Sequence, residues 1–128
     1  TYFFEPMLDR HDRERFEVVC YDRTPQQDGT GARLQAKADH WVRAHGVDWD
    51  SLAQKVRDDG IDVLVDLKGH FEDNHLPLFA RKPAPVQVNW LGYPDTTGLR
   101  AIDAWFTDDV ITADLSGQYA SEQPVSLG

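Results

Sequence analysis

The 128-residue sequence is poor in cysteine, in positive charge and in long apolar runs. Its one cysteine, Cys20, excludes an internal disulfide and favours a reducing compartment. Lys and Arg number 13 against 22 Asp and Glu, and the net charge of −9 argues against nucleic acid or an anionic membrane as the main partner. No apolar run approaches the roughly 20 residues of a membrane-spanning helix, and no signal peptide is visible.

Several well-known catalytic and nucleotide motifs are also missing. The sequence has no GxGxxG run, no Walker loop and no GxSxG nucleophile elbow. His70 and His75 are five residues apart, which is not the spacing of a helical metal pair, so no metal site is predicted. Asp66 ends an apolar run as a phosphoacceptor does in receiver domains, but no acidic pair or positioned Lys accompanies it.

Enough apolar residues are present for one globular domain with a single core, since 41% of the chain is hydrophobic. Bounded β-rich runs predict four strands, over residues 16–22, 61–69, 85–92 and 101–109. The run 61–69 is almost continuously apolar, which is typical of a strand buried on both faces of a parallel sheet. Helical patterns between the strands make the fold class α/β, Rossmann-like, with a parallel sheet.

Two longer helices and one short helix are predicted. Apolar residues at helical spacing predict a helix over residues 32–46, closed by Gly46. A second helix is predicted over residues 47–60, with Asp48 or Asp50 as its N-cap, Leu52 and Val56 facing the core and Gly60 at its end. The segment 74–83 supplies the short helix.

Polar residues follow three of the strands, in segments 20–31, 65–75 and 90–98. Ligands of parallel sheets bind at the carboxyl ends of strands, so these segments are expected to lie along one rim. The third segment breaks at a rigid turn, Gly92-Tyr93-Pro94. From the residues alone, the sequence predicts an α/β domain with a polar, ligand-facing rim.

Three runs resemble a known family: "GIDVLVDLKGH", "LFARKPAPVQVNWLGYPDTTG" and "AIDAWFTDD". They are similar to the amino-terminal catalytic lobe of the O-GlcNAc transferase family, which includes the plant SPINDLY proteins and bacterial relatives with tetratricopeptide repeats. The resemblance implies a GT-B glycosyltransferase with two Rossmann-like lobes. Residues 1–128 would then be part of the amino-terminal lobe, without the repeats and without the carboxyl-terminal lobe that binds UDP.

The resemblance also implies an activity. Such proteins are inverting transferases of the cytoplasm that move N-acetylglucosamine, or a related sugar, from a UDP-sugar donor to Ser or Thr hydroxyls of an acceptor protein, without a metal or other cofactor. The family's active-site His lies upstream of the segment matching Thr1. No catalytic residue is therefore assigned here, and the chain alone is expected to be inactive.

By the same resemblance, the substrate-binding residues are Leu91, Gly92, Pro94, Thr97 and His70. The Leu-Gly-Tyr-Pro turn of relatives lies against the donor sugar near its N-acetyl group. This chain departs from the family at Asp95, where relatives commonly have Gly, and at His75, where bacterial relatives have Arg. These departures support an alternative function, a non-catalytic protein-docking module derived from this lobe.

Overall fold

The computed structural model describes residues 3–92, 95–114 and 120–127. The chain divides into two compact units, residues 1–47 and residues 48–128. Helices accompany parallel strands in both units, which confirms the predicted α/β class. None of the helices in the described stretches has the length and apolar character that crossing a bilayer requires.

The first unit combines two helices with two short strands. Along the chain it contains α1 (Phe4–Arg10), β1 (Val19–Asp22), α2 (Gly29–Gln35) and β2 (His40–Arg43). The two strands form a parallel sheet in which Val19 lies opposite His40. Helix α2 begins after Asp28, whose carboxylate accepts a hydrogen bond from the backbone N–H of Gly31 at 2.7 Å and so caps the first turn.

The helix predicted over residues 32–46 is correct only as far as Gln35, where α2 ends. Residues 36–46 are not helical, and within them His40–Arg43 form a strand. Trp41 and Val42 fit a helical face by spacing, but both also have a high strand propensity. Pairing with β1 along all four residues decides between the two structures. Gly46, expected to close the helix, lies beyond the strand with a φ of +76°.

The second unit is built on one four-stranded sheet. Its elements are α3 (Trp49–Asp58), β3 (Val63–Asp66), α4 (Leu76–Ala80), β4 (Val86–Trp90), β5 (Ala104–Thr107), α5 (Asp109–Asp114) and β6 (Gln123–Ser126). All strands are parallel and lie in the order β3-β4-β5-β6. The carboxyl ends of all four strands therefore lie along one edge of the sheet, as a ligand-binding rim requires.

Helix α3 confirms the helix predicted over residues 47–60. Asp48 is the N-cap, and its carboxylate accepts a backbone N–H of the first turn at 2.9 Å. Leu52 and Val56 are buried in the core, as their spacing indicates. Gly60 follows with a φ of +68°, the left-handed conformation that commonly ends a helix.

Strand β3 confirms the predicted strand, but the prediction that both of its faces are buried is wrong. Val63 and Val65 are 51% and 40% exposed, whereas Leu64 and Asp66, which alternate with them, are buried. A run of β-branched residues indicates a strand, but it does not determine how many layers cover the sheet.

Strand β6 is absent from the sequence prediction. Its four residues pair with β5, with Gln123 opposite Ala104 and Ser126 opposite Thr107. The strand is short and contains Pro124, which lacks an N–H for the ladder and is tolerated only at an edge position. Nothing in the local composition distinguishes such a segment from a polar tail.

Candidate functional site

The chain segments that leave β3 and β4 meet at the carboxyl edge of the sheet. Gly92 lies against the backbone of Lys68 and Gly69, which follow the neighbouring strand. A Cβ on Gly92 would be 2.6 Å from the carbonyl carbon of Lys68 and 2.8 Å from the nitrogen of Gly69. Glycine is therefore required here by the close approach of two backbones.

Leu91 has a conformation that its side chain disfavours. Its φ is +62°, in the left-handed region, where a residue with a Cβ is strained by about 1–2 kcal/mol. The side chain is 41% exposed at the end of β4. Strain of this kind persists where neighbouring groups fix the backbone, and it clusters at ligand sites. The contact of Gly92 with the β3 exit supplies that constraint.

A cleft of about 230 Å³ opens at the carboxyl ends of β4 and β5. Its apolar wall is formed by Trp90, Leu91, Trp105, Phe106, Ile111 and Leu127. Thr107 also lines it, is only 7% exposed, and has a hydroxyl oxygen without a hydrogen-bond partner among the described residues. Apolar walls with a few polar groups are typical of sites for small organic ligands.

The loop before β5 is fastened by a carboxylate that the sequence prediction missed. Glu122, directly before β6, is 3% exposed. It accepts hydrogen bonds from the hydroxyls of Thr96 and Thr97, and from the backbone N–H of Thr97 at 2.6 Å. The hydroxyl of Ser121 donates to the same carboxylate at 3.0 Å. A single Glu in a polar tail carries no sequence signal for this role, because its partners lie about 25 residues away.

The electrostatics of Glu122 follow from these contacts. Burial alone would raise the pKa of its carboxyl group, but the hydroxyls of Thr96 and Thr97 and the N–H of Thr97 stabilise the ionised form. The pKa is lowered as a result. The loop is thus held by a charged acceptor, whose hydrogen bonds are the stronger kind.

A second carboxylate holds the exit of β3. Asp66 has a fully buried side chain, and it accepts backbone N–H groups from Lys68 at 3.2 Å and Gly69 at 2.8 Å. Burial raises the pKa of this carboxyl group, although both N–H bonds oppose the rise. These contacts favour a loop-capping role for Asp66 over that of an accessible phosphoacceptor.

The two loops are also joined directly. The ring Nε2 of His70 donates to the carbonyl oxygen of Thr96 at 3.0 Å. Since Thr96 is bound to Glu122, the loop after β3 and the loop before β5 form one connected network. His70 and Thr97, both predicted to bind substrate, lie in this network, and Thr97 is buried at 4% exposure.

The predicted binding residues therefore divide into two groups. Leu91 and Gly92 line the cleft, whereas His70 and Thr97 hold the adjoining loops together. Pro94 lies outside the described residues. The exit of β1, segment 20–31, does not belong to this sheet, because β1 pairs with β2 in the first unit.

Asp95 and His75, which the resemblance marks as departures from the family pattern, lie in the segments that follow β4 and β3. Asp95 is exposed, and its carboxylate accepts the backbone N–H of the next residue at 2.7 Å. His75 lies with Nδ1 3.9 Å from Asp66 and its ring centroid 6.3 Å from that of Trp49. Residues 3–92, 95–114 and 120–127 contain no group of three or more His, Cys, Asp or Glu side chains that could hold a metal ion.

A sequence-family model decides the relationship. The model of glycosyl transferase family 41 matches residues 2–124. The chain belongs to glycosyl transferase family 41. The resemblance to O-GlcNAc transferases and SPINDLY proteins is thereby confirmed.

Individual proteins of known description are similar to this chain over nine tenths or more of its length. A protein of Arabidopsis thaliana described as a probable UDP-N-acetylglucosamine–peptide N-acetylglucosaminyltransferase SPINDLY is 38% identical, over 99% of this chain and 14% of its own length. Another Arabidopsis thaliana protein with the same activity in its description, SEC, is 32% identical over 91% of this chain and 12% of its own length. The solved structure of an O-GlcNAc transferase mutant from Thermobaculum terrenum matches with a TM-score of 0.94 and 42% identity, over 99% of this chain and 24% of that one. The 128 residues thus span a minor part of the relatives they match.

Proposed function

We propose that these residues form one wall of the sugar pocket in a transferase that moves N-acetylglucosamine, or a related sugar, from a UDP-sugar to Ser or Thr hydroxyls of proteins. The observation that carries this proposal is the strained turn at Leu91, which lines a cleft at the carboxyl ends of two parallel strands. The names of the family 41 relatives support the choice of donor and of protein acceptor.

The chemistry of the cleft suits an acetamido sugar. Leu91 and the aromatic side chains offer apolar surface to the acetamido methyl group and to the C–H face of the ring. The hydroxyl of Thr107 is buried without a hydrogen-bond partner among the described residues, and in this proposal a bound sugar displaces the cleft wall and pairs with it through a hydroxyl or the acetamide. A sugar that satisfies this oxygen also removes the cost of leaving it buried and unpaired.

The reaction divides between this chain and the remainder of the transferase. In an inverting transfer, the acceptor hydroxyl attacks the anomeric carbon, a base or a donor phosphate oxygen takes its proton, and UDP leaves. The described residues supply sugar contacts and loop positions. In this proposal the active-site His, the lobe that binds UDP and the tetratricopeptide repeats lie in the rest of a cytoplasmic protein. The 128 residues alone are expected to transfer no sugar.

An amide NMR titration of the isotope-labelled chain with UDP-N-acetylglucosamine tests the proposal. Leu91, Gly92, Thr107 and Ile111 should shift together, and the same residues should respond to free N-acetylglucosamine at higher concentration. UDP alone should leave them unchanged, because the uridine site is assigned to the other lobe. Absence of shifts at saturating donor would favour the docking module, for which an acceptor protein without donor should perturb the same rim.

Two matched substitutions sharpen the test. Thr107→Val removes the hydroxyl and keeps the shape, so sugar affinity should fall about two- to tenfold. Stability should rise slightly, since an unpaired buried hydroxyl is replaced by a methyl group. Thr30→Val, in helix α2 of the first unit, is the control and should leave sugar affinity unchanged. Equal affinity of the wild-type and Thr107→Val chains would remove Thr107 from the sugar contact.

A further inference from the structure

The carboxylate of Glu122 is surrounded by donors only. Its Oε1 accepts the N–H and the hydroxyl of Thr97, and its Oε2 accepts the hydroxyls of Thr96 and Ser121. Four donors on two oxygens match an ionised carboxylate, which has acceptor sites only and room for about four hydrogen bonds. The side chain is buried at 3% exposure, so water is a poor substitute for any of the four.

An amide at the same position would not satisfy these groups. The hydroxyl oxygen of Thr96 already accepts the N–H groups of Gly98 and Ser121, each at 3.2 Å, so its proton must be donated elsewhere. An amide nitrogen at Oε2 would remove the charged acceptor of this proton and leave it only the hydroxyl oxygen of Ser121, at 3.2 Å. An amide nitrogen at Oε1 would face the N–H of Thr97, donor against donor. The network therefore favours a carboxylate over an amide at position 122.

The network connects three segments of the second unit, the loops after β3 and before β5 and the start of β6. Through Thr96 and Thr97 it fixes the loop that follows the Leu91–Gly92 turn, and through Glu122 it anchors that loop to the start of β6. The carbonyl of Thr96 accepts the ring N–H of His70, which extends the connection to the loop after β3. A change at Glu122 is thus transmitted to loops on both sides of the turn.

We propose that Glu122 is a positioning residue for sugar binding: its carboxylate sets the 95–98 loop, and through it the turn that faces the donor. The expected effect on sugar binding rests on the proposed function, but the effect on the loop can be measured without any donor. In this proposal Thr97 holds the loop in place, because its N–H and hydroxyl bind the Glu122 carboxylate.

The first experiment replaces Glu122 by Gln and follows hydrogen exchange of the backbone amides in the absence of donor. Loss of charge-assisted hydrogen bonds should speed exchange of the Thr97 amide by about 10- to 100-fold. The cross-peak of His70 should shift as well. Glu14→Gln, the same charge change at an exposed residue of the first unit, is the control and should alter neither. Unchanged exchange at Thr97 in a folded Glu122→Gln chain would overturn the positioning role.

A second pair keeps the test decisive if Glu122→Gln does not fold. Thr97→Ser retains the hydroxyl and the N–H that bind Glu122, whereas Thr97→Val retains the shape and removes the hydroxyl. Thr97→Val should therefore speed exchange at Gly98 and Leu99, and Thr97→Ser should restore values near wild type. Equal exchange in both variants would show that the hydroxyl contact is without effect on the loop.

Titration of the same variants with UDP-N-acetylglucosamine tests the consequence for binding. Glu122→Gln and Thr97→Val should weaken donor binding about tenfold, and Thr97→Ser and Glu14→Gln should not. If the wild-type chain binds no donor, the proposed function fails while the exchange result still decides the loop-positioning role. Wild-type affinity in Glu122→Gln, together with faster exchange at Thr97, would overturn the link between this loop and the sugar.

Discussion

Replacing Gly92 by Ala should force apart two strand exits that touch through their backbones. The new Cβ would lie 2.6 Å from the carbonyl carbon of Lys68, and ordinary van der Waals contact begins at 3.4 Å, so the two segments would have to move apart by about 0.8 Å to restore ordinary contact. The other atoms within 2.8 Å belong to the backbone of Lys68 and Gly69, so no side chain can rotate away. We expect a loss of unfolding free energy of about 2–3 kcal/mol, the upper part of the range for overpacking.

Urea unfolding measured by NMR checks this value, using amide cross-peaks of residues 48–128 to report on the second unit alone. The largest shifts in the folded variant should fall on Lys68, Gly69 and Leu91. Gly29→Ala is the matched control, because a Cβ there meets nothing within 4 Å and the residue begins helix α2. A Gly92→Ala chain within about 0.5 kcal/mol of wild type, a change usual for a neutral surface site, would refute the close-approach argument.

Three further predictions follow from strain, burial and charge. Leu91→Gly should raise the unfolding free energy by about 1 kcal/mol, because glycine tolerates the left-handed φ. The same change should weaken binding of UDP-N-acetylglucosamine. Unchanged stability in urea unfolding would argue against strain at Leu91. Burial, with Asp39 and Asp22 nearby, raises the pKa of the Cys20 thiol to about 11. Its alkylation at pH 8 should therefore be on the order of 100-fold slower than that of a free cysteine. An alkylation rate close to that of the free thiol would contradict this. Because the pKa of Glu122 is lower in the folded chain than its usual 4.5, its stabilisation is present above that pH and is lost as pH falls through the folded value; the stability of Glu122→Gln should therefore fall less steeply in acid than that of the wild type.

Local signals in the sequence are sufficient to predict the elements whose structure depends on neighbouring residues along the chain. Helix α3 is an example, since Asp48 caps it, Leu52 and Val56 face the core, and Gly60 follows its end. Strands β2 and β6 were missed because their existence depends on pairing with β1 and β5, which are distant in sequence. The segment Gln123–Ser126 has no strand pattern of its own, and its neighbour in the sheet determines its conformation.

The same contrast between local signals and long-range contacts applies to the candidate site. The meeting of the β3 and β4 exits follows from parallel order and from the glycine at position 92. Leu91 and Gly92 as sugar contacts came from the family resemblance, which the residues alone do not specify. Glu122 escaped prediction because its role arises from hydrogen bonds to Thr96 and Thr97, and folding alone brings these residues together.

The turn at Leu91 lies between two loops, each held by a buried carboxylate. Protonation of the two carboxylates has opposite effects on the stability of the fold. Asp66 receives backbone N–H groups of the two residues that follow it closely, and burial raises its pKa, so protonation as pH falls relieves an unfavourable buried charge. Glu122 receives hydroxyls as well as an N–H, its pKa is lowered, and protonation removes a favourable charge. Acid should therefore loosen the 95–98 loop while favouring the folded environment of Asp66. Because the strain at Leu91 needs fixed neighbours, loss of the Glu122 contacts should weaken one constraint on the turn, while the contact of Gly92 with the β3 exit remains.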